Sequence, residues 1–275
     1  MKTTKLILAA TIVALSAASC GTKHEAQKVL VLYYSQTSNT KVVAEEIANR
    51  MSADIEAIEA VEPYDGDFQA TIQRCMQERE LDVLPAIQPM KADLSQYDVV
   101  FIGYPVWFGT YAPPIATFLG NVDLSGKKIV PFCTFGSGGL ESSIADIKAK
   151  QPNAEVMPGY GVRAARLNAV PDEIDQFLKA NGFLDGEYTV LDAFPEQQPV
   201  TSDDEAIFNA AVDGYPMLHA EAKSVASRDI PGGTEYLFTA VDLPRADKPD
   251  MPPAGELQVY VTVTPDKTEF TRVVR

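Results

Sequence analysis

The chain has 275 residues, of which 46% are hydrophobic and 22% charged; this is enough apolar material for one large core or two modest ones and excludes a wholly disordered protein. A formal net charge of -15 argues against a nucleic-acid partner, because phosphate backbones need a basic surface. No Cys/His group has zinc-ligand spacing, and nothing near His219 resembles a nucleophile elbow, so no metal site is expected and triad hydrolysis lacks its residues. The chemistry is expected to belong to a bound cofactor, and no side chain is assigned a catalytic role.

At the amino terminus Lys2 and Lys5 precede an apolar run from Leu6 to Ala14, followed by Ala17-Ala18-Ser19-Cys20. Basic, apolar, then small residues is the order of a secretory signal, and the run is shorter than the about 20 residues of a membrane-spanning helix. The residues before Cys20 resemble a bacterial lipobox, with Ala17 in the place usual for leucine. That resemblance implies lipidation at Cys20 and a lipoprotein facing the periplasm or cell exterior, held to the membrane by its lipid alone. Residues 1–20 are thus read as the signal segment and 21–27 as a polar tether. Twin arginines are absent, which implies export of an unfolded chain and cofactor loading afterwards.

From Lys28 the pattern alternates. Val29–Tyr33 is a short continuous apolar run, as expected for a strand buried on both faces. Val43, Ile47 and Met51 then share one helical face. Ile55–Ile58 is a weaker strand, nearer an edge, and Phe68, Ile72, Cys75 and Met76 are expected to form the inner face of a second helix. Val99–Ile102 is a third strand; Pro113 opens a helix carrying Ile115, Phe118 and Leu119. Ile129–Cys133 is a fourth strand, and Pro131 within it predicts a local bulge or a strand end, because proline cannot donate to a ladder. A helix with Leu140, Ile144 and Ile147, a fifth strand within Glu155–Val162, and a helix with Ile174, Phe177 and Leu178 complete the series. Such βα alternation predicts a doubly wound parallel five-stranded sheet over 28–185.

Ligands of these sheets bind at the carboxyl ends of the strands, where three loops carry useful chemistry. Ser35-Gln36-Thr37-Ser38-Asn39-Thr40 joins the first strand to a helix start, whose free N–H groups and added hydroxyls suit a phosphate. Tyr104 to Tyr111 holds Trp107, the only tryptophan, with three further aromatics, suited to walling a flat ring. Thr134-Phe135-Gly136-Ser137-Gly138-Gly139 lets a backbone approach closely. By contrast, Gly159-Tyr160-Gly161-Val162-Arg163-Ala164 fits a dinucleotide fingerprint but follows the wrong strand, and Gly120–Lys128 fails P-loop spacing. Both are read as coincidence. Cys133 is expected to be a buried small hydrophobe rather than a redox group.

In order and content the three loops resemble those of the flavodoxin family, over roughly Lys28 to Leu184. The best match is Gly103-Tyr104-Pro105-Val106-Trp107-Phe108-Gly109-Thr110, with Phe132–Gly139 close behind, and both look like the subgroup related to flavin-dependent NAD(P)H:quinone oxidoreductases. The resemblance implies strand order 2-1-3-4-5 and FMN as cofactor. It places Ser35, Thr37, Ser38, Asn39 and Thr40 on the FMN phosphate, Pro105, Val106, Trp107 and Phe108 beside the ring, and Phe135, Gly136 and Gly138 at its other edge. Trp107 and a flipping peptide near Gly136 would tune the flavin. Ser38 departs from the motif, which usually has glycine there.

After Gly186 the alternation stops. Ser202-Asp203-Asp204-Glu205 reads as a capping box opening a short helix with Ile207, Ala210 and Ala211 inward. Tyr236–Val241, Leu257–Val263 and Phe270–Val274 read as strands, the last two joined by a turn at Pro265-Asp266-Lys267. Residues 186–275 are therefore expected to form a smaller α+β domain, with a weak similarity to cystatin-like domains carried by Ile230–Tyr236. Arg228 replaces the glutamine of the inhibitory motif, so a docking or dimerising accessory role is expected instead. The functional expectation is electron transfer in the cell envelope, with a quinone or a redox protein as partner. A flavin-free protein-binding lipoprotein is the alternative.

Overall fold

The computed structural model describes residues 27–64, 67–244, 253 and 255–275. The signal segment, Cys20 and all of the tether except Gln27 lie outside the described residues.

The first half of the chain contains β1 (Val29–Tyr33), α1 (Asn39–Met51), β2 (Asp54–Ala57), α2 (Phe68–Glu80), β3 (Val99–Trp107), β4 (Thr110–Tyr111), α3 (Pro113–Asn121), β5 (Lys128–Phe135), α4 (Leu140–Lys150), β6 (Glu155–Val156), β7 (Tyr160–Arg163) and α5 (Val170–Ala180). The sheet order is β2-β1-β3-β5-β6, with β7 also on β5. The main ladders are parallel, and among the described residues the antiparallel piece of this sheet is β4 on β3. The expected order 2-1-3-4-5 is observed, with its fifth strand in two pieces.

Strand side chains alternate between faces, and both faces are covered. Leu30, Leu32, Val100, Ile102 and Ile129 pack on one side with Ile115 and Phe118 of α3 and Ile147 of α4. Val31, Val99, Phe101 and Val130 pack on the other with Val43 and Ile47 of α1 and Ile174 and Leu178 of α5. This two-sided burial explains why β1, β3 and β5 are nearly unbroken apolar runs.

Two local expectations are corrected. In α2 the buried residues are Thr71 and Cys75, whereas Phe68 is 73% exposed and Met76 58% exposed. The inner stripe is the i, i+4 pair, and Thr71 is accommodated there because its hydroxyl donates to the Asp67 carbonyl. Pro131 produces neither a bulge nor a strand end: β5 pairs with β3 without interruption from Lys128 to Thr134. The interruption lies in the outer partner instead. β6 covers Lys128 and Ile129, and β7 resumes at Phe132. In a parallel ladder residues i and i+2 face the same neighbour. Because the Ile129 carbonyl accepts from Met157 N–H on the outer side, the N–H that Pro131 lacks would have pointed into the gap.

The second half contains β8 (Gln198–Pro199), α6 (Ser202–Val212), β9 (Ala220–Ile230), β10 (Gly233–Asp242), β11 (Glu256–Thr264) and β12 (Lys267–Val274). These strands form an antiparallel sheet, β12-β11-β10-β9-β8, packed on α6 through Phe208, Ala211, Phe238, Val259, Val261 and Phe270. Phe208 is the buried anchor of α6, and Ala210, expected inward, is exposed. The cap is one residue earlier than expected: Thr201 and Asp204 make the reciprocal capping box. β9 has no counterpart among the expected strands.

Gly103, in β3, faces Phe132 of β5 so closely that a Cβ would lie 2.1 Å from Phe132 Cζ. Gly103→Ala should therefore lower the stability of the first domain by about 1–3 kcal/mol through overpacking. A shift of the urea midpoint at unchanged slope is the expected measurement.

Candidate functional site

β1, β3 and β5 end side by side, and the three loops that leave them converge. The first begins where Tyr34 N–H donates to the Gly103 carbonyl at 2.9 Å, tying it to β3. Gln36 Nε2 donates to Thr71 Oγ1 at 2.7 Å, tying it to α2. Ser38 then adopts φ 66°, ψ -4° and leads into α1 without making a side-chain cap bond. Ser35 Oγ accepts from the Lys41 N–H of the helix's first turn at 3.3 Å, and the partial positive charge of the helix start faces the same loop. Thr37 and Ser38 are exposed, Ser35 and Asn39 half-buried. Thr40 is buried and its hydroxyl is 2.9 Å from that of Thr134 in the third loop, 94 residues away.

The second loop is a hairpin. β3 runs beyond the sheet to Trp107 and returns as β4, with Val106 opposite Tyr111 and Trp107 opposite Thr110. The two turn residues, Phe108 and Gly109, have φ of 51° and 87°, the pairing that a two-residue turn of the right twist demands. Pro105, Val106 and Trp107 are half-buried. Trp107 meets Tyr34 and Tyr64 edge to face, with centroids 5.8 and 5.2 Å away. Phe108 stands at the tip, about half exposed, beside the Arg79 guanidinium.

The third loop closes the arrangement. Phe135 is buried at the end of β5, and Gly136 is exposed. A Cβ on Gly139 would lie 2.5 Å from Val106 Cγ1 and 3.3 Å from the Gly109 carbonyl, so only glycine lets loops two and three touch here. Ser142 of α4 donates to that same Gly109 carbonyl at 2.5 Å.

Of the four non-glycine residues with positive φ among the described residues, Ser38 and Phe108 are both in these loops. Left-handed backbone costs an L-residue roughly 1–2 kcal/mol, and such strain collects at working sites. Gly138 also meets the second sheet: a Cβ there would lie 1.9 Å from the Val273 carbonyl of β12. The second sheet reaches the rim at this point, through residues that reading the sequence did not single out. Arg163, at the end of β7, is among them, and it was visible only inside the coincidental fingerprint.

Cys75 and Cys133 are free and buried. Burial pushes the Cys75 thiol up to about 11 and the Cys133 thiol well above its ordinary value, so neither supplies a thiolate near neutral pH. Both should resist maleimide at pH 8 in the folded protein and react in urea, as located by peptide mass. Ser38→Gly should raise stability by roughly 0.5–1 kcal/mol, the relieved strain less the extra freedom of an unfolded glycine, and a higher urea midpoint would record it.

No curated protein matches the chain. Among solved structures it is similar to a provisionally assigned flavoprotein from Bacteroides eggerthii, at 31% identity over 54% of this chain and 98% of the other, TM-score 0.46. A provisionally assigned flavoprotein from Bacteroides uniformis is similar at 26% identity over 55% and 99%, TM-score 0.49. A flavoprotein from Lactobacillus acidophilus, solved in complex with FMN, is similar at 25% identity over 55% and 97%, TM-score 0.45. The family model that matches is that of flavodoxin, over residues 28–177; with more than half of its residues inside that match, the chain belongs to the flavodoxin family.

Proposed function

We propose that the rim formed by the three loops binds FMN and that the protein transfers electrons through it in the cell envelope. The observation that carries this reading is the contact of all three loops, with Thr40 and Thr134 hydroxyls sharing one buried hydrogen bond. The residues present fit the group. Hydroxyls of Ser35, Thr37 and Ser38, with Asn39 and the start of α1, where Ser38 makes no side-chain cap bond, suit a phosphate without a dedicated lysine. Pro105, Val106, Trp107 and Phe108 offer an apolar wall, and around Gly109 a Cβ would meet nothing within 4 Å. Gly136 is exposed where the polar ring edge would lie, with its carbonyl already taken by Arg163.

When bound, FMN supplies hydride acceptance and single-electron release. The chain's part is positional. The first loop holds the phosphate, the Trp107–Phe108 hairpin keeps water from an apolar face, and Phe135, Gly136 and Gly138 belong to the segment at the other edge. Burial holds the Cys75 and Cys133 thiols protonated, so among the described residues neither cysteine presents a nucleophilic thiolate near neutral pH. The partner is a membrane quinone or a redox protein, and Cys20 carries the lipid that keeps the exported chain at the membrane. The second domain, one helix on an antiparallel sheet, is an accessory module, and the Ile230–Tyr236 segment supports reading it as cystatin-like.

Adding FMN to the purified protein should give a yellow complex with quenched flavin fluorescence and micromolar or tighter affinity. Thr40→Val leaves the Thr134 hydroxyl buried without its partner, a loss of about 1–3 kcal/mol, and should weaken FMN at least several-fold. No binding at micromolar FMN defeats the flavin reading and leaves a flavin-free protein-binding lipoprotein. NADPH oxidation with a quinone acceptor separates reductase from carrier: a carrier gives no turnover.

A further inference from the structure

The ring-edge loop is held by the second domain through its backbone, and Arg163 is the residue that joins them. Arg163 Nε donates to the Gly136 carbonyl at 2.9 Å, and its Nη1 donates to the Phe270 carbonyl of β12 at 2.9 Å. The same guanidinium lies 3.5 Å over the Phe270 ring and 5.3 Å from that of Tyr215. One residue further along the loop, the Ser137 carbonyl accepts from Val273 N–H of β12 at 2.6 Å. The Val273 carbonyl in turn blocks any side chain at position 138. Two successive peptide carbonyls of the loop are therefore engaged, one by Arg163 and one by the free edge of β12.

We propose that Arg163 is a positioning residue that fixes the Gly136–Ser137 peptide in one orientation, so that the seated second domain is a structural part of the cofactor site. This inference rests on the flavin reading for its functional meaning but not for its structural content. A flip of the Gly136–Ser137 peptide would break the Arg163 Nε bond. A flip of the next peptide would break the Val273 bond. The flipping peptide expected near Gly136 from family resemblance is thus replaced by a locked one. Because a ligand that favours the seated arrangement is favoured by it equally, FMN and the contact between β12 and the loop must reinforce each other. Only guanidinium has the fork geometry to serve two carbonyls while lying flat on an aromatic ring; lysine keeps the charge without the fork.

The test uses the full chain and hydrogen exchange read by mass spectrometry, alongside FMN titration and flavin midpoint potential. In the unliganded protein, Arg163→Ala should raise exchange at residues 136–139 and 267–274 at least tenfold while leaving β1 and β10 unchanged. Saturating FMN should slow exchange at 267–274 in the wild type, and Arg163→Ala should weaken FMN about tenfold and shift the potential. Arg163→Lys should behave like Arg163→Ala, and wild-type exchange and potential in Arg163→Lys would reduce the effect to charge and overturn the lock. Unchanged exchange at 136–139 in Arg163→Ala also overturns it. If the wild type binds no FMN, the flavin reading fails by itself, and the exchange in the unliganded variants still decides whether Arg163 locks the loop.

Discussion

The buried pair of hydroxyls on Thr40 and Thr134, 2.9 Å apart, is the constraint on which the rim depends. A hydroxyl removed from water must find a partner or cost free energy, and each of these finds the other across the end of β3. The pair fixes the start of α1 against the end of β5. β3 lies between β1 and β5 in the sheet order, so the Trp107 hairpin emerges between the loops that follow those two strands. The strand order makes a helix start, an aromatic hairpin and a glycine turn neighbours, and the two threonines, 94 residues apart in the chain, tie the first of them to the third.

That constraint also accounts for where backbone strain is kept. Ser38 turns the chain into α1 at φ 66°, and Phe108 turns β3 back as β4 at φ 51°. Glycine would serve more cheaply at both positions. Gly109, beside Phe108, is indeed glycine at φ 87°, and Gly139 is glycine where a Cβ would lie 2.5 Å from Val106 Cγ1. Strained side-chain-bearing residues persist only where their surroundings over-determine them, and Ser38 is over-determined by Tyr34, anchored to β3, and Thr40, anchored to β5.

How much of this was legible in the sequence follows from which physical signal each element carries. β1, β3 and β5 are buried on both faces, so composition alone marks them. The three loops were legible because a helix start, an aromatic cluster and a glycine run each have a chemistry visible in a few residues. α2 was misread because its buried stripe, Thr71 and Cys75, is less apolar than its exposed Phe68 and Met76. β9 was not foreseen because Ala220–Ile230 alternates small and polar residues, and its pairing along β10 rather than its composition makes it a strand. Pro131 was correctly recognised as unable to donate, but the defect it requires is in its neighbour, which no single strand's sequence can reveal.

The contact between the halves was not legible at all, and the physics of sheet edges explains why it exists. An open sheet has two edges of unpaired backbone that invite association. At one edge of the second sheet, β8 is two residues long and ends in Pro199, a short strand blunted by proline. The other edge, β12, is eight residues long and is covered instead: Val273 N–H and the Phe270 carbonyl are taken by Ser137 and Arg163. Arg166 to Glu269 at 3.1 Å, itself held to Glu173 at 2.8 Å, reinforces the same edge. The covering group is the loop at the mouth of the first sheet. One set of hydrogen bonds therefore removes an aggregation-prone edge and stiffens the rim, and loosening either function loosens the other.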